Sequence, residues 1–430
     1  MTTKELYERY LKHRNITTDT RAITEGAMFF ALRGDNFDGN LFVEQAFEKG
    51  ASFCVVDNPK SVINEQCLLV DDVLGALQAL AEYHRKKQTI PFLAITGTNG
   101  KTTTKELVHT VLSKKYRCHA TKGNLNNHIG VPLTLLSMPE NTEIAIIEMG
   151  ANHQGEIDFL CKIAQPDFGI ITNIGKAHLE GFGGFEGVVK TKTELYQYIK
   201  NKEGKLFVNA DNVLLMEKSE GISRITYGTA LNADYKATFK SANPNLSFYF
   251  ERNDLVYNVQ TQLLGGYNFE NAVTATCIGS YFKVDDFDIK AALESYVSTN
   301  NRSQYIKTER NELYLDAYNA NPSSMRVAIE NFAQQENQYA KVLILGGMKE
   351  LGKSSAEEHQ GLVELIKSKN INRVFLVGEE FAFAKTENGI VWSENTEMLK
   401  KYLTENPLTR FFVLIKGSRS NCMETLVEML

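Results

Sequence analysis

The chain has 430 residues, of which 43% are hydrophobic and 23% are charged, and its formal net charge is −5. This composition is typical of a globular protein of roughly two to four domains, and the negative charge gives no basic field that would attract nucleic acid. No apolar run reaches the roughly 18 residues that span a bilayer, and the N-terminus lacks a signal peptide's apolar centre, so we expect a soluble, cytoplasmic protein without membrane insertion.

Residues 1–88 are predicted to form a first domain. Its strand-like apolar runs lie at 28–32, 53–56 and 68–70. A helical pattern at 73–87 leads to the boundary near residue 88. The segment Asp19-Thr20-Arg21 has the composition of a turn, although an arginine in such a loop can pair with a phosphate. The residues alone leave both interpretations open.

A glycine loop between an apolar strand at 92–95 and a helical pattern at 104–112 has the clearest chemical meaning in the chain. It reads Gly97, Thr98, Asn99, Gly100, Lys101, Thr102 and Thr103. In such a loop, backbone N–H groups face a phosphate chain, the lysine reaches the outer phosphates and a hydroxyl binds Mg²⁺. The spacing is a shortened GxxGKTT. A glycine-rich turn with a chance Lys-Thr pair is the alternative, which the flanking strand and helix disfavour.

The rest of a second domain, 89–299, is predicted to alternate strands and helices around a mostly parallel sheet. Its strand-like runs lie at 144–147, 168–172 and 206–208. From 225 to 262 the alternation of apolar and polar residues favours antiparallel strands, and helical patterns follow at 268–282 and 284–296.

A third domain, 300–430, repeats the alternation on a smaller scale and is predicted to be Rossmann-like. Its apolar runs lie at 313–315, 342–345, 374–377 and 412–415. The helical patterns lie at 323–335, 357–368, 396–405 and from 421 onward. Its glycines do not form GxGxxG, so no dinucleotide site is predicted.

Polar residues follow the predicted strands of the second domain. Glu148 follows one strand, and His178 lies a few residues beyond the next. Ligands collect at the carboxyl ends of strands in open α/β sheets, so we expect Thr102, Glu148 and His178 to converge beside the phosphates. Mg²⁺ prefers oxygen ligands, and Mn²⁺ also accepts a histidine nitrogen. A solvated strand end for Glu148 and a loop or core histidine for His178 are the alternatives.

The segment 188–195 has the pattern of an ordinary exposed helix. Its lysines, among them Lys190 and Lys192, are on this evidence solvated side chains. His153 has the surroundings of a plain loop histidine, and we assign it no metal role.

Several motifs together resemble the Mur ligase family, ATP-dependent ligases that form amide bonds in peptidoglycan precursors. They are TGTNGKTTTK (96–105), NNHIGVPLT (126–134), EMG (148–150), HLEGFG (178–183), DAYNANPSSM (316–325) and KGSRSNCME (416–424). The resemblance covers the whole chain. It implies three domains: one that holds a UDP-sugar, a central ATPase and a Rossmann-like C-terminal domain. Within the family, the motifs are most similar to the branch that adds D-alanyl-D-alanine to UDP-N-acetylmuramoyl-tripeptide.

The resemblance also implies roles for individual residues. The loop 97–103 would hold the ATP phosphates, Thr102 and Glu148 one Mg²⁺, and His178 a second. Lys192 matches a lysine that is carbamylated in many members; a carbamate converts the ammonium into a carboxylate-like group that can bridge towards a metal. The implied nucleotide contacts are Asn268 and Asn271 for the base, Arg302 for the γ-phosphate and Asp316 for the ribose. The implied substrate contacts are Asp19, Thr20, Arg21, Asn126, Asn127, Lys416 and Arg419.

Two positions depart from the family pattern: Asn40 replaces a histidine of FDGH, and Gly347 replaces the aspartate of GDM. We expect a monomeric enzyme with Lys101, His178, Lys192 and Arg302 as catalytic groups and two Mg²⁺ sites. It would convert a carboxylate into an acyl phosphate, which an amine then attacks. The alternatives are a relative that adds one amino acid, a folate-polyglutamate ligase, or a P-loop switch or kinase that forms no amide.

Overall fold

The computed structural model describes residues 1–299 and 301–430, which form three α/β units, so the predicted fold class is confirmed. The predicted start of the third domain at residue 300 lies outside the described residues, and the domain boundaries stay predictions. Among the described helices, none is both long and apolar enough to cross a membrane.

The first unit is built on a four-stranded parallel sheet and carries a small antiparallel ribbon. In chain order it contains α1 (Thr3–Tyr10), β1 (Ile16–Thr17), β2 (Met28–Phe30), β3 (Arg33–Gly34), β4 (Phe37–Asp38), α2 (Val43–Glu48), β5 (Phe53–Val56), β6 (Cys67–Leu69) and α3 (Val73–Lys86). The sheet order is β1-β2-β5-β6, and β3 pairs with β4. Asp72 caps α3 by accepting hydrogen bonds from the N–H groups of Leu74 and Gly75, which fixes where this helix begins.

The central unit has a nine-stranded sheet in the order β15-β14-β13-β12-β11-β10-β7-β9-β8. Its elements are β7 (Phe92–Thr96), α4 (Lys101–Leu112), β8 (Cys118–Ala120), α5 (Gly130–Leu136), β9 (Ile144–Glu148), α6 (Glu156–Ala164), β10 (Phe168–Ile171), α7 (Leu179–Phe182), α8 (Phe185–Asn201), β11 (Lys205–Asn209), α9 (Val213–Lys218), β12 (Arg224–Gly228), β13 (Tyr235–Ala242), β14 (Asn245–Arg252), β15 (Leu255–Leu264), α10 (Asn268–Tyr281) and α11 (Asp286–Ser295). The strands from β8 to β12 pair in parallel. Strands β13, β14 and β15 are antiparallel, as the alternation at 225–262 predicts.

The C-terminal unit has a six-stranded sheet in the order β16-β17-β21-β18-β19-β20. Its elements are β16 (Gln304–Lys307), β17 (Glu312–Asp316), α12 (Pro322–Gln334), β18 (Ala340–Gly346), α13 (Ser355–Lys367), β19 (Arg373–Val377), β20 (Ile390–Ser393), α14 (Thr396–Glu405) and β21 (Phe411–Lys416). Strand β16 is an antiparallel edge, and the other pairings are parallel.

Two predicted helices differ from the structure. The helix predicted at 104–112 begins at Lys101, because Gly100 adopts a left-handed backbone conformation that starts the helix one turn earlier. The last helix, predicted from residue 421, is instead a 3₁₀ segment, Met423–Met429, whose buried Met423 and Leu426 cover the sheet.

The core of the first unit continues into the central unit. Leu77 and Leu80 of α3 belong to the same apolar cluster as Leu135 of α5 and Leu160 of α6. The carboxyl ends of β7, β9 and β10 in the central sheet lie on the side that faces the C-terminal unit, and the candidate site forms there.

Candidate active site

The glycine loop connects β7 to α4 in a path that only glycine permits at two positions. Gly97 and Gly100 have φ angles of 145° and 78°, and a Cβ at Gly97 would overlap the Thr172 hydroxyl. A Cβ at Gly100 would lie 2.5 Å from Asn271 Oδ1. The loop therefore stays narrow and leads straight into the N-terminus of α4, which suits a phosphate chain.

Lys101 folds back onto this loop. Its Nζ donates hydrogen bonds to the carbonyl oxygens of Gly97 (2.7 Å) and Thr98 (3.1 Å). Burial lowers the pKa of Lys101 to about 8, although nearby Glu148 acts in the opposite direction. A bound phosphate would stabilise the charged form of Lys101 and so offset the cost of its desolvation.

Glu148 is almost completely buried at the end of β9. Its Oε1 accepts hydrogen bonds from Thr102 Oγ1 (3.2 Å) and Asn126 Nδ2 (2.8 Å). Its Oε2 has no hydrogen-bond partner among the described residues and lies 3.7 Å from Lys105 Nζ. A buried carboxylate whose second oxygen has an ion-pair contact but no hydrogen bond, beside a hydroxyl, is a donor set that Mg²⁺ accepts, with substrate phosphates completing the coordination.

Among the described residues, no group of three or more His, Cys, Asp or Glu side chains is arranged to hold a metal ion. The residues present fit a metal that takes most of its ligands from substrate and water, as Mg²⁺ commonly does. His178 is not open in this arrangement, because its Nδ1 lies in direct contact with the carboxylate of Glu350 in the C-terminal unit. The pKa of His178 is lowered overall, because the effect of burial exceeds the opposite effect of the Glu350 carboxylate.

Lys192 does not behave as a solvated lysine. The pattern at 188–195 places its lysines in water, and this holds for Lys190, but Lys192 is only 3% exposed and its Nζ lies 5.7 Å from the centre of the Phe182 ring. Burial, reinforced by the positive charge of Lys101, lowers the pKa of Lys192 to about 7. A large part of this amine is therefore neutral near pH 7.

The C-terminal unit supplies the opposite wall. The Arg302 guanidinium stacks 3.6 Å from the centre of the Tyr318 ring, and its Nε has no hydrogen-bond partner within the described chain. Asp316 Oδ2 accepts a hydrogen bond from Lys416 Nζ at 2.5 Å, and Lys416 also donates to the carbonyl oxygen of Asn319. The residues expected at the γ-phosphate, the ribose and the substrate peptide thus lie together.

Four asparagines expected in the site are already hydrogen-bonded within the protein. Asn268 Oδ1 accepts from Asn271 Nδ2 at 2.9 Å, and Asn271 Oδ1 accepts from Thr104 Oγ1 at 3.0 Å. Asn126 supports Glu148, and Asn127 Oδ1 accepts from the Gly130 N–H at 2.9 Å. These amides hold the walls of the site in place.

One cavity of about 860 Å³ brings most of these residues together. The predicted site residues that line it are Gly97, Thr98, Asn99, Gly100, Lys101, Thr102, Thr103, Asn126, Asn127, Glu148, His178, Lys192, Asn268, Asn271, Arg302, Asp316 and Lys416. Asp19, Thr20, Arg21 and Arg419 do not line it.

Three of the four residues outside the cavity form ion pairs with residues close to them in the sequence. In the first unit, Arg21 is highly exposed and pairs with Asp19 at 2.8 Å. In the C-terminal unit, Arg419 pairs with Glu424 at 2.8 Å. Their substrate contacts stay predictions.

The two departures from the family pattern have structural counterparts. Asn40 is buried and fully engaged, donating to Asp38 and Asp57 at 2.8 Å each. A Cβ at Gly347 would overlap the carboxylate of Glu380, whose Oε1 pairs with Lys349. The Glu380 carboxylate thus occupies space that a side chain at position 347 would need.

Sequence reasoning missed the side chains that join the two walls. Three of them, Asn321, Ser323 and Glu350, contact the central unit. The fourth is Tyr318, whose ring stacks against the Arg302 guanidinium. The order Asn321-Pro322 was a usable signal for the start of a helix, since asparagine caps helices and proline favours their first position. No local pattern indicated that this start meets the glycine loop.

Family models match most of the chain. The Mur ligase middle domain matches residues 95–279, the Mur ligase glutamate ligase domain matches 301–419, and the Mur ligase family catalytic domain matches 12–87. The chain belongs to the Mur ligase family. The resemblance of its motifs to this family is thereby confirmed.

Similar Mur ligases are known from several bacteria. The chain is 37% identical to the UDP-N-acetylmuramoyl-tripeptide–D-alanyl-D-alanine ligase of Bacillus subtilis, over 98% of this chain and 94% of that protein. It is 34% identical to the protein of the same name from Escherichia coli, over 96% and 93%.

Solved Mur ligase structures share the fold across nearly the whole chain. MurF from Acinetobacter baumannii superposes with a TM-score of 0.88 at 30% identity, covering 99% of this chain and 98% of that one. MurF ligase from Thermotoga maritima, solved in complex with ADP, has a TM-score of 0.84 at 28% identity and 97% coverage of both chains. ATP use is therefore supported for this Mur ligase.

Proposed function

We propose that this Mur ligase joins D-alanyl-D-alanine to UDP-N-acetylmuramoyl-tripeptide, with conversion of ATP to ADP and phosphate. The observation that carries the proposal is the shared cavity, whose walls place the glycine loop and Glu148 opposite Arg302 and Lys416. The names of relatives that align over almost the full chain support the choice of substrates. Because ATP and UDP-sugars are cytoplasmic metabolites, we place the reaction in the cytoplasm. We also expect the enzyme to be a monomer.

The reaction needs an activated carboxylate. The γ-phosphoryl group of ATP passes to the terminal carboxylate of the tripeptide, which forms an acyl phosphate and releases ADP. The amine of D-alanyl-D-alanine then attacks the acyl carbon, loses a proton and expels phosphate, leaving the amide. Both steps gather negative charge, which Lys101 and Arg302 are positioned to offset.

Each candidate residue receives a role consistent with its surroundings. The loop 97–103 binds the ATP phosphates, with Lys101 turning from its own carbonyl contacts to the outer phosphates. Asn268 and Asn271 border the base, and Asp316 the ribose. The first unit holds the UDP-sugar through Asp19, Thr20 and Arg21, while Asn126, Asn127, Lys416 and Arg419 border the peptide.

Thr102 and Glu148 would hold one Mg²⁺, which supplies charge neutralisation for the phosphates when bound. His178 would border a second Mg²⁺ after separating from Glu350. Lys192 joins that site as a carbamate: its neutral amine attacks CO₂, a C–N bond forms and a proton leaves. The lowered pKa of Lys192, about 7, supports this step because only the unprotonated amine reacts.

The function is tested with purified protein, ATP, Mg²⁺, UDP-N-acetylmuramoyl-tripeptide and D-alanyl-D-alanine. We expect mass spectrometry to detect the pentapeptide product, with phosphate release that requires both other substrates. Tripeptide labelled with ¹⁸O in its terminal carboxylate is expected to transfer one ¹⁸O to phosphate. Product formation with a single amino acid in place of the dipeptide, or phosphate release without amide, would reject the assignment.

A further inference from the structure

The side chain of Asn99 connects the glycine loop directly to the C-terminal unit. Asn321 Nδ2 donates to Asn99 Oδ1 at 2.8 Å, and Asn99 Nδ2 donates to Ser323 Oγ at 3.0 Å. Ser323 Oγ donates in turn to Asn321 Oδ1 at 2.9 Å. The three side chains form a closed ring in which both ends of the Asn99 amide are paired across the domain interface.

The backbone of Asn99 is held separately, by the central unit itself. Its N–H donates to Asn173 Oδ1 at 2.9 Å, and its carbonyl oxygen accepts from Thr172 Oγ1 at 2.6 Å and from Asn173 Nδ2 at 3.1 Å. The path of the loop is therefore defined within the central sheet. Only the side chain of Asn99 forms hydrogen bonds to the C-terminal unit.

The C-terminal side of the ring is the start of α12. Asn321 caps this helix, because its Oδ1 also accepts from the Ser324 N–H at 2.8 Å. A Cβ at Gly175 would lie 2.8 Å from Ser323 Oγ, so the two units approach closely at this point. A small shift of α12 away from the central unit would break both hydrogen bonds to Asn99.

We propose that Asn321 and Ser323 are positioning residues that couple the glycine loop to docking of the C-terminal unit. When the unit is docked, the ring fixes the orientation of the Asn99 side chain, which lines the nucleotide cavity. When it separates, the Asn99 amide turns to water and loses that fixed orientation. The inference rests on the proposed function only in that this loop binds ATP.

Coupling of this kind is reciprocal. If docking strengthens nucleotide binding by a given factor, nucleotide strengthens docking by the same factor. The ring thus gives bound nucleotide a way to strengthen the closed arrangement, in which Arg302 and Lys416 line the same cavity as the loop.

Two variants cut the ring at different points. Asn321→Asp keeps the oxygen that caps α12 but replaces the N–H donor to Asn99 with a second oxygen. Ser323→Ala removes the acceptor for Asn99 Nδ2. The matched control is Asn395→Asp, the same substitution at the cap of α14, where Asn395 accepts from the Met398 N–H at 3.0 Å.

Calorimetry with ADP and small-angle scattering with and without ADP measure binding and docking in the full chain. We expect each ring variant to bind ADP about three to ten times more weakly, the loss of one net hydrogen bond, and to need more ADP to become compact. The Asn395→Asp control is expected to match the wild type. The double variant Asn99→Ala/Ser323→Ala is expected to lose no more than Asn99→Ala, because both changes break the same contact.

Unchanged ADP affinity and unchanged scattering in both folded ring variants would overturn the inference, as would additive losses in the double variant. Thermal unfolding verifies that each variant is folded, and Ser323→Ala keeps the test valid if Asn321→Asp is unstable. Neither measurement uses ligase turnover. A failure of the coupling therefore leaves the proposed reaction standing, and failure of the reaction leaves the coupling measurable.

Discussion

The central unit meets its two neighbours through interfaces of different chemistry. On one side, α3 packs into a shared apolar core, and Tyr10 donates a hydrogen bond to the carbonyl oxygen of Leu136 at 2.8 Å. On the other side, Leu264 and Tyr267 pack against the apolar core of the C-terminal unit, but the contacts around the cavity itself are polar. They include the pairs Asn99–Asn321, Lys176–Glu358 and His178–Glu350.

This difference indicates which neighbour moves. Separating an apolar interface exposes surface to water at a cost of about 25 cal/mol per Å², whereas separated polar groups regain hydrogen bonds to water. We infer that the first and central units form one rigid body, and that the C-terminal unit docks reversibly upon it. A ligase with three substrates needs such an opening to load and release them.

The buried cations of the two interfaces show the same contrast. Arg85 of α3 is saturated with acceptors: it donates to the carbonyl oxygens of Ala164 and Gln165 at 2.8 and 2.7 Å and to Asp167 at 3.2 Å. Lys192, at the cavity, is instead held with its pKa lowered to about 7. We therefore expect the first cation to stabilise the fold, whereas the proposed role of the second is chemical.

The largest expected effect is on Lys192. Lys192→Ala should lower ligase turnover by about 1000-fold, the size expected when a group that stabilises transition-state charge is lost. If the carbamate acts as a carboxylate, added acetate or formate should restore part of the activity. Ligase assays of Lys192→Ala with and without these acids measure both effects.

Lys190→Ala is the matched control, since Lys190 lies on the same helix but is exposed, and it should keep wild-type turnover. In CO₂-depleted buffer the wild type should lose activity and regain it on addition of bicarbonate. The fraction of neutral Lys192 amine rises through its pKa of about 7, so at equal concentrations of dissolved CO₂ recovery should be faster at pH 8 than at pH 6. Full activity of Lys192→Ala would remove the proposed contrast between the two cations.

The next effect is on stability. Arg85→Ala leaves the buried carbonyl oxygens of Ala164 and Gln165 without their donor and should lower the free energy of unfolding by about 3 kcal/mol. Thermal and denaturant unfolding measure this loss. ADP affinity of the folded variant should be unchanged, because Arg85 does not line the cavity. Weaker ADP binding without loss of stability would contradict the assignment of Arg85 to a rigid interface.

Much of the fold could be predicted because buried parallel strands are nearly continuous apolar runs. The runs at 53–56 and 92–95 correspond to β5 and β7 within one residue. The early start of α4 at Lys101 and the 3₁₀ segment at Met423–Met429 were missed. Both depend on left-handed residues, Gly100 and Cys422, whose backbone conformations periodicity does not reveal.

The candidate site could be predicted only where one local motif contains it. The glycine loop is contiguous, so its residues suffice to identify it. Asn99 and Ser323 are separated by 224 positions, and their contact exists only because the two sheets face one another. The burial of Lys192 likewise depends on Phe182 and the packing of α7 on α8, which the pattern of α8 alone does not report.

The smallest expected effect tests whether the polar interface is held by many weak contacts. Lys176 pairs with Glu358 at 2.8 Å, but the lysine side chain is 56% exposed, so Lys176→Met should cost no more than about 0.5 kcal/mol of docking free energy. Small-angle scattering during an ADP titration should show this as a slightly higher midpoint. At high salt the wild type and the variant should coincide, because the pair is screened.

Lys218→Met is the control, since Lys218 pairs with Glu217 inside the central unit and should leave docking unchanged. A loss at Lys176 as large as that expected for Arg85→Ala would mean that one ion pair dominates the interface. The C-terminal unit would then be fixed in place like the first unit, and the distinction between a rigid and a reversible interface would fail. A small, salt-sensitive loss of docking free energy instead supports reversible docking. Nucleotide binding can then shift the equilibrium towards the docked state through Asn99.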